Sequence, residues 1–419
     1  MFRKKEFIEK IAPELERLGC KSEENLTRYV HAVEKFFEIY GEREDFSVFS
    51  VAGRTEICGN HTDHNRGKVA AASIDLDIIA VAAKCDGNVI RVKSAGFDED
   101  IVDISNLHSS FSKHFTSSAL IRGVCDGFSK TGLKYGAFCA YTESKILKGS
   151  GLSSSAAFED MIGTIENHLY SGGQADFIKI SKISQYAENT HFGKPCGLMD
   201  QMACAAGGFI SIDFANAANP AVKRLDFDLE KHGYALYIVN TGGSHADLNE
   251  DYASVPAEMK AVAGFFGKDV LCGTSEPELT ENAQRIRAAF GDRALLRAYH
   301  FVRENDRVTR LFRAIENDDI GGFLAVIRES GRSSATLLQN YYSTKAPSEQ
   351  GIAVACTVAE SAIGEDGACR VHGGGFAGTA QVFVPLEREL YFVRKTEAVF
   401  GRGSATKLNI RSGGAVKIL

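Results

Sequence analysis

The chain has 419 residues, 44% hydrophobic and 24% charged, with a formal net charge of −6. A length of this order holds two or three globular domains with substantial cores, and the acidic balance argues against nucleic acid or an anionic membrane as partner. Ten cysteines without a Cys-x-x-Cys pair read as mostly buried, reduced thiols, so a cytoplasmic location is expected.

Residues 1–40 are predicted to be helical. The first eighteen mix Lys4, Lys5, Glu6 and Glu9 with Phe2, Phe7, Ile8 and Ile11, which makes an amphipathic helix and not a secretory leader. Mixed strands are expected over 46–105; the apolar run at 69–83 is interrupted by Asp75 and Asp77 and is too short to span a membrane. A helix is predicted over 117–131, a strand over 134–147, and a helix over 153–170, where Ala157, Met161, Ile162, Ile165 and Leu169 recur at helical spacing. Helical patterning over 177–190 leads to the segment around Asp200, and strands follow at 208–214 and 234–240. Helices are then expected near 248–266, 279–289, 293–317, 320–330 and 348–363, with strands at 368–372, 379–384 and 404–411. This mixture implies an α+β architecture without internal repeats.

Three segments carry the chemistry. Residues 149–159, GSGLSSSAAFE, turn on Gly149 and Gly151 and enter a helix at Ser153, Ser154 and Ser155. Hydroxyls beside the free amides of a helix start make an anion site suited to a polyphosphate, although an ordinary serine-capped turn looks the same in sequence. No Lys follows the glycines, and Ser154 stands where a dinucleotide fingerprint has its third glycine. Residues 53–67, GRTEICGNHTDHNRG, are too polar for a buried strand. They offer the dense donors and acceptors that a polyhydroxylated ligand requires, or simply a solvated loop. Residues 367–385, GACRVHGGGFAGTAQVFVP, set three glycines before an alternating strand, for close backbone approach or a flexible turn.

Together and in this order, these segments resemble the galactokinase family of the GHMP kinase superfamily, which typically shows GRVNLIGEHTDYN, GLSSSA and GGGFGG-type motifs. Residues 185–188 (QYAE) followed by 197–201 (GLMDQ), Asp251-Tyr252, residues 303–308 (RENDRV) and 411–415 (RSGGA) fit the same pattern. The resemblance covers about residues 30–415. It implies a two-domain GHMP kinase fold with the active site in the interdomain cleft: residues 1–215 supplying the sugar signature, serine loop and catalytic Asp, and 216–419 the glycine triplet. It further implies ATP and Mg2+ as cofactors, a small sugar and a nucleotide as the partners, and a monomer or weak homodimer.

By the same resemblance Asp200 is the base for the anomeric hydroxyl and Arg54 its charge partner. Asn60, His61, Asp63, Gly197 and Tyr252 hold the sugar. Gly149, Gly151, Leu152, Ser153, Ser154, Ser155, Ala156, Gly374 and Gly375 hold ATP, and Ser154 and Glu188 hold the metal. His61 and His64 have no evident third and fourth ligand, so a hydrogen-bonding loop is expected there and not a zinc site. Cys58 and Cys196 stand close to these motifs, so thiol reagents are expected to inhibit. The chain departs from the family at Asn60, where Glu is usual, and at Ala52, Glu56 and His64. The lost charge at Asn60, with Arg66 nearby, suggests a second reading in which the sugar carries a carboxylate at C6, such as galacturonate. A kinase of a non-sugar alcohol and a non-catalytic sugar sensor on the same fold complete the alternatives to galactose.

Overall fold

The computed structural model describes residues 2–109, 114–146, 151–194, 196–243 and 248–419. Helices α1 (Lys4–Arg17) and α2 (Glu23–Tyr40) precede strands β1 (Ser47–Cys58), β2 (Lys68–Lys84), β3 (Val89–Ser94) and β4 (Glu99–Asp103). Next come α3 (Ser117–Lys130), β5 (Phe138–Ser144), α4 (Ser154–Tyr170), α5 (Phe177–Ala187), α6 (Met199–Ala206), β6 (Phe209–Asp213) and β7 (Ala221–Leu225). Strand β8 (Tyr234–Asn240) opens the second half, followed by α7 (Asn249–Phe265), α8 (Glu276–Glu281), α9 (Ala283–Phe290), α10 (Asp292–Glu316), α11 (Ile320–Ser333) and α12 (Gly351–Ile363). The chain ends with β9 (Ala368–His372), β10 (Thr379–Pro385), α13 (Glu389–Phe400), β11 (Ala405–Leu408) and β12 (Ala415–Lys417).

Two sheets organise these elements. The larger runs β12-β1-β2-β5-β3-β4, with β6 on the same edge of β2 as β5 and β7 beyond it; the smaller is β11-β8-β10-β9. Strand β2 is buried nearly throughout because both of its faces are covered. Ile79, Val81 and Ala83 pack with α1 and α2, while Ile78, Ala80 and Ala82 join the core under α3 and α4, as period-two alternation requires. Asp77 survives in this apolar run because Arg28 (2.5 Å) and Arg411 (3.1 Å) neutralise it and Ser50 donates to it. Strands β7 and β12 also belong to the larger sheet, so residues on both sides of 215 build it.

Most predicted elements are present, and the differences have physical reasons. The strand expected over 134–147 is Phe138–Ser144; residues 134–137 lie outside it and Leu147 outside the described residues. Helix α13 carries no legible stripe in sequence, since Leu390 is 77% exposed and Tyr391 and Val399 are also in solvent, so apolar residues surround the helix. Strands β7 and β12 are too short and too polar to announce themselves, and pairing with β6 and β1 creates them.

The smaller sheet fixes the end of β1. Gln381 of β10 donates to Thr55 Oγ1 (2.7 Å) and to the Glu56 carbonyl (2.9 Å), and Arg370 of β9 donates to the Ile57 carbonyl (2.8 Å). Register shifts between Ala52 and Gly53 and between Glu56 and Cys58 bracket the segment that carries Arg54 and Glu56. Such irregularities re-aim side chains beside functional sites.

Candidate active site

Arg54 and Asp200 meet although 146 residues separate them. Asp200 stands in the first turn of α6, and its Oδ1 accepts from Arg54 Nε at 2.9 Å while its Oδ2 accepts from Ser153 Oγ at 2.6 Å. A second guanidinium nitrogen of Arg54 donates to the Gly151 carbonyl. Burial alone would push the Asp200 carboxyl up, but the Arg54 guanidinium, the Ser153 hydroxyl and Lys194 outweigh it and hold the group below its ordinary value. Its side chain remains 36% exposed, open to a cavity.

That cavity, about 180 Å³, is lined by Arg54, Glu56, Gly59, Asn60, His61, Asp63, Cys196, Gly197, Met199, Asp200, Gly373 and Gly374. Its wall is polar because three chain segments far apart in sequence deliver hydrogen-bonding groups to one point. Asp63 begins the short 3-10 turn Asp63–Asn65. Burial, then the neighbouring Asp200 charge, pushes its carboxyl up to about 6. A Cβ on Gly197 would stand 1.8 Å from Asp63 Oδ2, so only glycine lets these segments close together. His61 Nε2 donates to the Gly374 carbonyl (2.9 Å), and His64 Nε2 reaches His61 Nδ1 (3.4 Å). Burial lowers the basicity of both rings, and among the described residues no cluster of three His, Cys, Asp or Glu is arranged to hold a metal.

Ser153 and Ser154 stand between this cavity and a larger one. Ser153, at φ 59°, is the non-glycine residue that turns the chain into α4, and its hydroxyl goes to Asp200 instead of capping the helix as expected. Holding a serine in that conformation costs free energy, a feature that clusters at functional sites. Ser154, one residue on, lines a cavity of about 1080 Å³ together with Phe97, Ile78, Ile146 and Phe158. Leu152 and Ala156 are buried, with the Leu152 carbonyl accepting from Arg54 N (3.2 Å), and Ser155 is half-buried beside them. Gly149 lies outside the described residues.

Several expectations change. Gly374 lines the smaller cavity and Gly375 lies behind it, where a Cβ would be 2.2 Å from the Asn340 carbonyl; neither lines the larger one. Tyr252 does not line the sugar-sized cavity: its hydroxyl donates to the Gly375 carbonyl (2.9 Å) and its ring backs Gly374, bracing the glycine triplet. Arg66 is exposed at the end of its turn and lines neither cavity, so it offers no countercharge for a sugar carboxylate. Glu188, the residue directly after α5, is buried, accepts from Gln201 Nε2 (2.8 Å) and pairs with Lys194 (3.2 Å). Cys58 is sealed in the core with its thiol pushed well up by burial, whereas Cys196 reaches the cavity.

Glu56 was missed as a site residue. Its side chain and that of Arg370, both almost wholly buried, pair at 2.7 Å. The signal was present as opposite charges in two otherwise apolar strands, TEIC and ACRVH, but no one-dimensional pattern says which buried charges meet.

Comparison with known proteins agrees with this geometry. The galactokinase galactose-binding signature matches residues 34–84, and the GHMP kinases N terminal domain matches residues 119–208. A galactokinase of Streptomyces coelicolor is 30% identical over 356 residues, covering 84% of this chain and 87% of its own. The chain belongs to the galactokinase family. A second galactokinase, from Actinobacillus pleuropneumoniae serotype 3, is 31% identical over 365 residues, with coverage of 85% and 90%. Among solved structures, Lactococcus lactis galactokinase complexed with galactose superposes with a TM-score of 0.79 at 22% identity, covering 93% of this chain and all of that one. Methanococcus jannaschii mevalonate kinase shares the fold at a TM-score of 0.61 and 12% identity, covering 88% and 99%. The chain is therefore a GHMP-type kinase that uses ATP, with the α+β fold expected, and no described helix is long and apolar enough to cross a membrane.

Proposed function

We propose that this galactokinase-family chain phosphorylates the anomeric hydroxyl of galactose with ATP, giving galactose 1-phosphate. The observation that carries the proposal is the junction of Arg54, Ser153 and Asp200, where a small polar cavity adjoins, across one turn of chain, a cavity large enough for a nucleotide. In this reading the sugar lies against Asn60, His61, Asp63 and Gly197, and the base and ribose enter the larger cavity past Phe97. The phosphates follow the start of α4 toward Asp200, where the helix amides and the hydroxyls of Ser154 and Ser155 face negative charge.

Asp200 orients the anomeric hydroxyl toward the γ-phosphate and takes its proton late. Paired with Arg54 it is a weak base, which suffices because a loose phosphoryl-transfer transition state asks little of the nucleophile. Arg54 keeps Asp200 ionised and offsets negative charge as it develops on the transferring group. Mg2+ would be held by the Ser154 hydroxyl, which faces the larger cavity, and by Glu188, whose Oε1 now pairs with the Lys194 ammonium and would have to exchange that cation for the metal; hard oxygens of this kind, one or two from protein, are what Mg2+ takes. When bound, Mg2+ neutralises charge on the β- and γ-phosphates. The chain divides in this reading near residue 215 into two lobes that flank the site, with β7 and β12 returning to the first. In this reading the protein works as a monomer or weak homodimer.

The test is ADP release from ATP dependent on added galactose, with the phosphate located on C1 of the product. Absence of sugar-dependent ADP release across a hexose panel would refute the kinase and favour a sensor.

A further inference from the structure

The carboxylate of Glu56 lies in the wall of the smaller cavity with one oxygen committed and one free. Its Oε1 accepts from Asn60 Nδ2 (2.9 Å) and from Arg370 (2.7 Å). Its Oε2 takes no hydrogen bond from any described residue and is not among the atoms sealed from solvent, on a residue that lines the cavity. With no donor from the described residues, that oxygen is left to cavity water or to a hydroxyl of a bound ligand.

The neighbouring Asn60 is held so that it adds a second acceptor. Both of its amide hydrogens are used, by Glu56 Oε1 and by the Gly373 carbonyl (2.7 Å), and its Oδ1 accepts from Asn340 Nδ2 (2.7 Å). The opposite amide orientation would set Oδ1 against a carboxylate and a carbonyl, so the network fixes it. Asn60 lines the cavity with no amide hydrogen left to donate. Arg54 is engaged by Asp200 and by the Gly151 carbonyl, and Asp63 adds another carboxylate. Among the described side chains of this wall, the carboxylates of Glu56, Asp63 and Asp200 and the Asn60 oxygen accept protons from hydroxyls, while the Arg54 guanidinium already pairs with Asp200.

We propose that Glu56 determines specificity: its free oxygen accepts a hydroxyl proton of the bound sugar, which admits neutral sugars and excludes sugar acids. The proposal rests on the sugar-kinase reading above and reverses the suggestion, drawn from Asn60 and Arg66, that the site suits galacturonate. The charge absent at position 60 stands at position 56.

The test compares the wild-type chain with Glu56→Gln and with the double variant Glu56→Gln/Arg370→Gln, which removes both members of the buried pair and so leaves no uncompensated charge. KM and kcat are measured for galactose and galacturonate at saturating ATP, with sugar binding by calorimetry and KM for ATP alongside. Expected are a wild-type kcat/KM at least about 1000-fold lower for galacturonate, and a galactose KM about 10- to 100-fold higher in either variant, the loss of one hydrogen bond to a charged group. Discrimination should narrow by at least tenfold while KM for ATP is unchanged. An unchanged galactose KM in a folded variant, or wild-type calorimetry showing galacturonate bound as tightly as galactose, overturns the role of Glu56. Normal galactose turnover in that experiment leaves the kinase reading standing; no turnover of any sugar removes both.

Discussion

Replacing Asp63 by Asn should make the sugar-free protein more stable and less useful. The Asp63 carboxyl is pushed up to about 6 by burial first and by the Asp200 charge second. Against about 3.9 in an unfolded chain, at 1.36 kcal/mol per pH unit, ionised Asp63 costs the native state about 3 kcal/mol, and water in the open cavity reduces this to about 1–3 kcal/mol. The sign follows from proton binding. Between about pH 4 and 6 the native state holds the proton that the unfolded state has lost, so this contribution to stability falls as pH rises and the penalty is complete above 6. Asp63→Asn removes the penalty at pH 8 and changes little at pH 4. With an unfolding entropy of about 2.1 cal/mol/K per residue, the 419-residue chain should gain about 1–3 °C in Tm at pH 8, a gain that vanishes as the pH is lowered. The assay is differential scanning calorimetry of both proteins from pH 4 to 8 without sugar, with KM for galactose measured alongside and expected to rise at least about tenfold, as for a lost charged hydrogen bond. A variant less stable than wild type at pH 8, or a Tm difference independent of pH, would show that the Asp63 carboxylate is already satisfied and that the reasoning fails.

Asp200→Ala should lower turnover by at least about 1000-fold while ATP binding, followed by calorimetry, stays within a few-fold of wild type; normal turnover removes the assignment. Phe97, 51% exposed at the mouth of the larger cavity, should act on nucleotide alone: Phe97→Ala is expected to raise KM for ATP about three- to tenfold and leave KM for galactose unchanged, and the reverse pattern would place the nucleotide elsewhere. Cys196 should react slowly with a thiol reagent at pH 7–8, because burial first and Glu188 second push its thiol up. Galactose should protect it, and a rate equal to that of a free thiol, indifferent to galactose, counts against the cavity.

How much of this was legible in one dimension depends on the range of the interaction concerned. Helix α4 and the turn at residues 151–153 follow from local rules, because glycine conformations, hydroxyls at a helix start and an apolar stripe are properties of contiguous residues. The same holds for the acceptor-rich signature at 53–67 and the strand after the glycine triplet. These local features, met in a fixed order, sufficed for the family, the fold class and the pairing of Arg54 with Asp200. Helix α13 was missed because its apolar residues lack a period, and β7 and β12 because partner strands supply what their own sequences lack.

What tertiary structure alone decided concerns which groups share a space. In sequence Tyr252 fits either a sugar contact or a core-facing aromatic at a helix start, and the fold makes it the brace of the glycines, since the sequence places it near the site but cannot orient its ring. Ser153 gave its hydroxyl to Asp200 and not to the helix amides, because the chain returns 47 residues later with a carboxylate at hydrogen-bonding distance. The substitution at Asn60 looked like a lost charge until the fold set Glu56 beside it and Arg370 behind, 314 residues apart in sequence from Glu56. Electrostatics and hydrogen bonding act through ångströms, not along the chain, so the residues present were fixed by the sequence while their partners were chosen by the packing of two sheets.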